Sequence, residues 1–319
     1  MSFQIKGLIA APFSPLNGEG ELNVAVIPQY YEFLRKNGIK GVFINGTSGE
    51  AFSLTKEERI KIVEGWAEAR EAAGDDVDDF KLIVQVGATG IQDELALAKH
   101  LKDVNVDGFS TMAPIFFKPS NIPELLSHLQ KVAGVNPELP FYYYHIPVIH
   151  GVNFPMLELL DLLQKEQFSI PNFMGIKFSE PNFYDYMDSQ VKYGGKYDMP
   201  FCSDQILICA LTLGAEGSIG STYNFSAPLT NRIMNLFQEG KILEARNLES
   251  SLNSLLGFIR SKGSYFAIAK ALLKKRGINL GRVRSPLKNL NELEKKPDII
   301  MEQVIKYIET ANLSQYMNK

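Results

Sequence analysis

Cysteine is almost missing from this chain, with only Cys202 and Cys209 among 319 residues. Two cysteines are too few for a disulfide framework, and their spacing matches no common metal motif, so buried free thiols are expected. Histidine is scarce as well. The four present (His100, His128, His145 and His150) fall into no ligand pattern, and no metal is expected. Surplus charge is also lacking: the net charge is −3, with neither the basic excess that nucleic acid or an anionic membrane would call for nor an acidic block. No apolar run reaches about 18 residues. The opening "MSFQIKGLIAAPFSP" does not follow the charged, apolar, small-residue order of a signal peptide, so a cytosolic protein is expected. What is present is an ordinary globular composition, 45% hydrophobic and 22% charged, with material for a large core.

Short apolar runs of β type alternate with amphipathic runs of helical period. The strand candidates are 7–13, 41–46, 81–88, 108–114, 140–147, 173–179, 199–204 and 217–222, and helical patterns lie between them, as in Thr55 to Ala73. There Thr55 and Glu58 have the reciprocal spacing of a capping box. A doubly wound open sheet would want Gly-x-Gly-x-x-Gly at the first strand-to-helix turn, which reads "PFSPLNGEGELN" instead. Eight strand-then-helix units predict an α/β fold, a closed (β/α)8 TIM barrel, which typically needs about 250 residues. After Gly240 the strands stop and long amphipathic stripes continue. The expected division is therefore a barrel over residues 1–240 and a helical extension packed on it over residues 241–319.

In such a barrel the chemistry lies at the C-terminal ends of the strands. "FMGIKFS" sets Phe173, Gly175, Lys177 and Ser179 on one face and Met174, Ile176 and Phe178 on the other. Lys177 is a lone cation in an apolar strand. Such a lysine ordinarily marks an exposed edge or a snorkelling stem, but a closed barrel has no edge. Burial disfavours the charged form of an amine, and a neutral amine attacks carbonyl groups. "FYYYHIP" sets Tyr142 and Tyr144 on one face and Phe141, Tyr143 and His145 on the other. Tyr144 ends its strand as Lys177 nears the end of the next, so the two tips converge if both face inward, and a phenol there can shuttle protons. His145 is expected on the helix-facing side. "NGTSGE" at 45–50 adds glycines around Thr47 and Ser48, a turn able to cradle a carboxylate. Together these describe a site for a 2-oxo acid.

The segments "GTSGE", "YYYHIPVIHG", "GIKFS" and "GAEGSIGSTYN" resemble, in order and separation, those of the N-acetylneuraminate lyase and dihydrodipicolinate synthase superfamily, and the likeness covers essentially the whole chain. It looks strongest toward the lyase branch. The resemblance implies a class I aldolase that reversibly cleaves N-acetylneuraminate to N-acetylmannosamine and pyruvate without metal or organic cofactor, and a homotetramer. It also implies Lys177 as the Schiff-base residue, Tyr144 as the proton shuttle, Thr47 and Ser48 on the carboxylate, and Ser179, Asp204, Gln205, Gly220 and Ser221 along the hydroxylated tail. The chain departs from the pattern at Ile149, where the synthase branch has an arginine for a second carboxylate. It departs again at Cys202 and Gln205, where the lyases usually have glycine and glutamate, and at Phe116, which lacks the hydroxyl of a relay aromatic lent by a neighbouring subunit. Two alternatives stay open: an aldolase or dehydratase for another 2-oxo-3-deoxy sugar acid, and a non-catalytic barrel that binds pyruvate as a sensor.

Overall fold

The computed structural model describes residues 3–76, 79–293 and 297–318. Seven strands, β1 (Gly7–Ala10), β2 (Gly41–Ile44), β3 (Lys81–Gln85), β4 (Gly108–Met112), β5 (Phe141–His145), β6 (Phe173–Phe178) and β7 (Gly217–Gly220), form one parallel sheet in the order β6-β5-β4-β3-β2-β1-β7. Helices α1 (Ile27–Lys36), α2 (Lys56–Ala73), α3 (Ile91–His100), α4 (Ile122–Ala133), α5 (Met156–Leu162), α6 (Phe183–Tyr193), α7 (Leu207–Thr212) and α8 (Tyr223–Gln238) follow the strands as crossovers. Then come α9 (Ile242–Ser261), α10 (Tyr265–Lys274) and α11 (Pro297–Thr310); α9 packs along α8, and α11 lies against α9 and α10. Among the described residues no helix is long and apolar enough to cross a membrane.

The strand expected at 199–204 is not a regular one. There the chain makes single parallel bridges, Asp198 to Gly175 and Phe201 to Phe178 on the β6 side, and Phe201 to Ser218 of β7. Pro200 has no N–H to add to a ladder, although its carbonyl still accepts the Phe178 N–H at 3.0 Å. Gly175 permits the approach, since a Cβ there would collide with the Asp198 carbonyl.

Alternation divides the core into two. Ile9, Phe43, Ile83, Met112, Tyr142, Tyr144 and Ile219 pack together on the inner face of the sheet. Their chain neighbours Leu8, Ala10, Val42, Leu82, Phe141 and Tyr143 join the larger cluster under the helices. β6 breaks the expected alternation at its start. A register shift opposite Phe141 and Tyr142 sends Phe173 to the helix side with Ile176 and Phe178, and packs Met174 against the inner cluster. Beyond the bulge Lys177 keeps the inward direction.

The helices obey local rules. Thr55 accepts the Glu58 N–H at 3.2 Å and Glu58 accepts the Thr55 N–H at 2.8 Å, completing the capping box of α2. Trp66 of α2 is buried against Tyr30 and Tyr31 of α1, ring centroids 5.5 and 6.4 Å away; truncating such a side chain costs about 3–5 kcal/mol. α8 starts at Tyr223 and kinks at Ser226. Pro228 cannot donate to the Asn224 carbonyl. Asn318 repairs the break: its amide donates to the Asn224 and Tyr223 carbonyls at 3.0 and 3.1 Å and accepts the Ala227 N–H at 2.7 Å.

Candidate active site

The C-terminal ends of the strands surround one pocket, and all of the site residues named from the sequence line it. Lys177 of β6 and Tyr144 of β5 are register partners, each 4% exposed. The Lys177 Nζ stands 3.4 Å from the centre of the Tyr144 ring and 4.8 Å from that of Phe43. Phe43 meets Tyr144 edge to face at 5.4 Å, so two aromatic walls hold the amine inside the pocket. Such cation–π contacts are worth up to about 2 kcal/mol when desolvated.

The β2–α2 turn brings Thr47 and Ser48 to the same pocket. Asn45 and Glu50 take positive φ, 59° and 53°, and so turn the chain sharply at both ends of "NGTSGE"; each such non-glycine residue costs on the order of 1 kcal/mol or more. The Asn45 amide donates to the Arg59 carbonyl at 3.1 Å, and Ser14 Oγ donates to the Gly49 carbonyl. Thr47 is exposed and Ser48 buried. Thr47 Oγ1 lies 3.4 Å from the Tyr144 hydroxyl, a long contact that links turn and phenol.

On the opposite wall Asp204 accepts the Thr222 N–H at 2.9 Å. Burial raises its carboxyl above the ordinary value, against the hydrogen bonds of Thr222 and the charges of Lys177 and Arg260. Gly220 makes room beside it, because a Cβ there would run into the Asp204 carboxylate. Ser179 Oγ donates to the Cys202 carbonyl at 3.2 Å, and Ser221 Oγ is 3.0 Å from the Tyr265 hydroxyl. Gln205 Oε1 accepts from the Arg260 guanidinium at 2.8 Å.

The cysteines depart from expectation. Cys209 is exposed, on α7, and Cys202 is half-buried in the pocket wall, where burial pushes its thiol up to about 11 despite the neighbouring Lys177 amine.

The remaining polar aromatics of β5 have other work. Tyr142 points inward but lies below the pocket, donating to Asp198 at 2.7 Å; Asp198 also accepts the Ile5 N–H at 2.8 Å, and burial pushes its carboxyl up to about 6. Tyr143 and His145 face the helices beside His150, and burial holds the His145 imidazole down at about 3, hence neutral near pH 7.

Sequence reasoning passed over Phe43, Ser203, Thr222 and Arg260, which also line the pocket. Arg260 sits in an amphipathic helix whose pattern gives no direction for one polar residue. Thr222 was within reach of inference, since it follows the "GSIGS" strand end.

A parallel α/β sheet with a buried lysine facing a tyrosine at its open end defines the class of scaffold, and comparison with known proteins gives the family. Residues 4–304 match the dihydrodipicolinate synthetase family, and the chain belongs to it. It is 38% identical to N-acetylneuraminate lyase A of Xenopus laevis over 286 residues, 89% of this chain and 91% of that one. It is 34% identical to the N-acetylneuraminate lyase of Rattus norvegicus over 292 residues, 91% of this chain and 89% of that one. Among solved structures, the N-acetylneuraminate lyase of Aliivibrio salmonicida superposes with a TM-score of 0.88 at 32% identity, covering 98% of each chain. That of Proteus mirabilis gives 0.88 at 30% identity, covering 98% of this chain and 100% of that one.

Proposed function

We propose that the protein is a class I aldolase that reversibly cleaves N-acetylneuraminate to N-acetylmannosamine and pyruvate. The observation that carries this reading is the pairing of Lys177 with Tyr144 across β5 and β6, in a pocket shared with the hydroxyls of Thr47 and Ser48. The relatives' activity, named in their descriptions, supports the same choice.

The steps follow from the groups in place. Thr47 and Ser48 hold the substrate carboxylate. Lys177 Nζ attacks the C2 ketone of the open-chain sugar acid, and Tyr144 gives its proton to the departing hydroxyl, so that loss of water leaves a protonated imine and a phenolate. The imine draws the electron pair of the C3–C4 bond as the C4 hydroxyl gives its proton to Tyr144, releasing the aldehyde. Protonation of the enamine at C3 and hydrolysis return pyruvate and the free amine. Asp204, Gln205, Ser179, Gly220 and Ser221 orient the hydroxylated tail. This sequence needs no metal or organic cofactor.

The reading includes a closed (β/α)8 barrel, which the bridges of residues 198–201 to β6 and β7 support, with residues 1–240 as barrel and 241–319 as helical extension. It also includes a cytoplasmic homotetramer. Phe116, Phe117, Val148 and Ile149 are between 51% and 86% exposed, an apolar surface that suits a subunit contact. Light scattering would count the subunits.

The decisive experiment treats the enzyme with pyruvate and borohydride. Irreversible addition of a reduced pyruvyl group, located at Lys177 by peptide mass analysis, is expected. Binding of pyruvate without an adduct would favour a sensor and end the aldolase reading.

A further inference from the structure

Arg260 belongs to α9, yet it lines the same pocket as Lys177. Its partner there is uncharged: one N–H donates to Gln205 Oε1 at 2.8 Å. Other arginines of the molecule are differently placed, Arg35 on Asp75, Arg70 on Asp107 and Arg284 on Glu58. Among the described residues no carboxylate lies within ion-pair distance of Arg260.

Its side chain is exposed at the pocket rim, but it is held on two sides. The guanidinium carbon stands 5.9 Å from the centre of the Tyr265 ring, and Tyr265 is tied to Ser221 of the pocket wall. Residue 205 is gripped from α9 twice, by Arg260 at its side chain and by the Asn253 amide, which donates to its backbone carbonyl at 2.7 Å. The charges around the pocket do not cancel. Lys177 and Arg260 both favour the ionised form of Asp204, which places that carboxylate within the field of both, and Asp204 is the only acidic residue of the lining. Before pyruvate binds, two cations face one anion; once Lys177 carries pyruvate, Arg260 is the cation left in the lining. A guanidinium has five N–H donors in a planar fork suited to two oxygens of a phosphate or carboxylate. Among the described residues only the one to Gln205 has a protein acceptor.

We infer that the wall formed by Arg260 and Gln205 is an anion subsite for the far end of the substrate, so that the enzyme joins pyruvate to aldehydes ending in a phosphate or carboxylate. The inference rests on the aldolase reading and specifies its substrate class. The step balances without further reagents: the pyruvate enamine on Lys177 forms the C–C bond to the aldehyde carbon, Tyr144 returns a proton to the aldehyde oxygen, and water hydrolyses the imine to free the product and the amine. Gln205 sets the subsite's charge, because a carboxylate at that position would occupy Arg260.

The test compares kcat/KM for N-acetylmannosamine, its 6-phosphate and the corresponding 6-carboxylate, each with pyruvate, in the native enzyme, Arg260→Met and Gln205→Glu. A preference of about tenfold or more for an anionic aldehyde, lost in both variants, is expected from one charge-assisted bidentate contact. The phosphate and carboxylate arms show which anion fits. Inorganic phosphate should compete with the anionic aldehyde in the native enzyme and fail to do so in Arg260→Met. Equal aldehyde ratios in the native enzyme and Arg260→Met would overturn the subsite. Borohydride trapping of pyruvate in each protein reads the aldolase chemistry separately. If trapping fails, calorimetric binding of the 6-phosphate still decides: affinity lost in Arg260→Met supports the subsite, and affinity kept refutes it.

Discussion

Lys270 Nζ lies 2.9 Å from Glu50 Oε1, with both side chains 1% exposed, and so joins helix α10 to the turn that carries Thr47 and Ser48. Each group has one further partner: Lys270 also donates to the Arg282 carbonyl at 2.7 Å, and Glu50 Oε2 accepts the Arg284 N–H at 2.8 Å. Burial chiefly pulls the Lys270 amine below its ordinary pKa, with the Arg284 charge adding to it, and the charge and hydrogen bond of Glu50 oppose that pull. Removing one member leaves a buried charge without a counter-ion, which costs about 3–5 kcal/mol. Glu50→Gln should therefore lower unfolding stability by that order in urea titrations and raise KM for pyruvate as the turn loosens. Glu50→Gln combined with Lys270→Met should recover much of the stability, because neither residue then carries a charge. A double variant no more stable than the single one would show that the pair does more than cancel charge.

Among the described residues the Tyr144 hydroxyl has one hydrogen-bond partner, Thr47 at 3.4 Å, so its removal takes little from the fold while the ring still packs on Phe43. Tyr144→Phe should reduce turnover by about 10²-fold or more, the range of general acid–base groups, with a melting temperature close to native. Near-native turnover would remove the phenol from the proton path. Tyr142 would be a poor substitute, since its hydroxyl is engaged by Asp198.

Asp198 gives a pH dependence with a definite sign. Its carboxyl titrates at about 6 in the folded protein, raised chiefly by burial, against about 3.9 in an unfolded chain. Below pH 4 it is protonated in both states. As pH rises from 4 to 6 the unfolded chain releases this proton and the folded one keeps it, so stability falls across that window by at most about 3 kcal/mol. Asp198→Asn does not titrate. Its stability relative to the native protein should grow between pH 4 and 6 and level off above, as read from denaturant midpoints; a parallel pair of curves would contradict the assignment.

Much of this arrangement was legible because a strand has a period of two. The alternation in "FYYYH" separates Tyr142 and Tyr144 from Tyr143 and His145, and the core divides along that line. The local bonds of the Thr55 capping box were legible for the same reason, being fixed by spacing alone. What escaped depends on pairing between distant segments. The bulge at the start of β6 exists only against β5, and the interrupted ladder at 198–201 combines a local cause, Pro200, with bridges to Phe178 and Ser218. Arg260 escaped because the direction of a single polar residue on an amphipathic helix is set by how that helix docks, which no periodicity records.

Gly220 and Asp204 make the last prediction, and it separates tail binding from the chemistry at Lys177. Asp204 is held against the Thr222 N–H at 2.9 Å, and the space it occupies exists because Gly220 has no side chain. Gly220→Ala must push the carboxylate aside and crowd the Tyr223 ring, whereas Asp204→Asn keeps the shape and removes the charge. If the carboxylate orients the hydroxylated tail, Gly220→Ala should lower kcat/KM for N-acetylneuraminate by more than tenfold, because contacts remote from the reacting bond are expressed in the transition state. Asp204→Asn should fall less, since its amide oxygen still accepts the Thr222 N–H. Borohydride trapping of pyruvate on Lys177 uses none of these tail contacts and should proceed in both proteins. Equal losses of trapping and cleavage in Gly220→Ala would mean that the displaced carboxylate disturbs Lys177 itself, and Asp204 would then belong with the amine rather than with the tail.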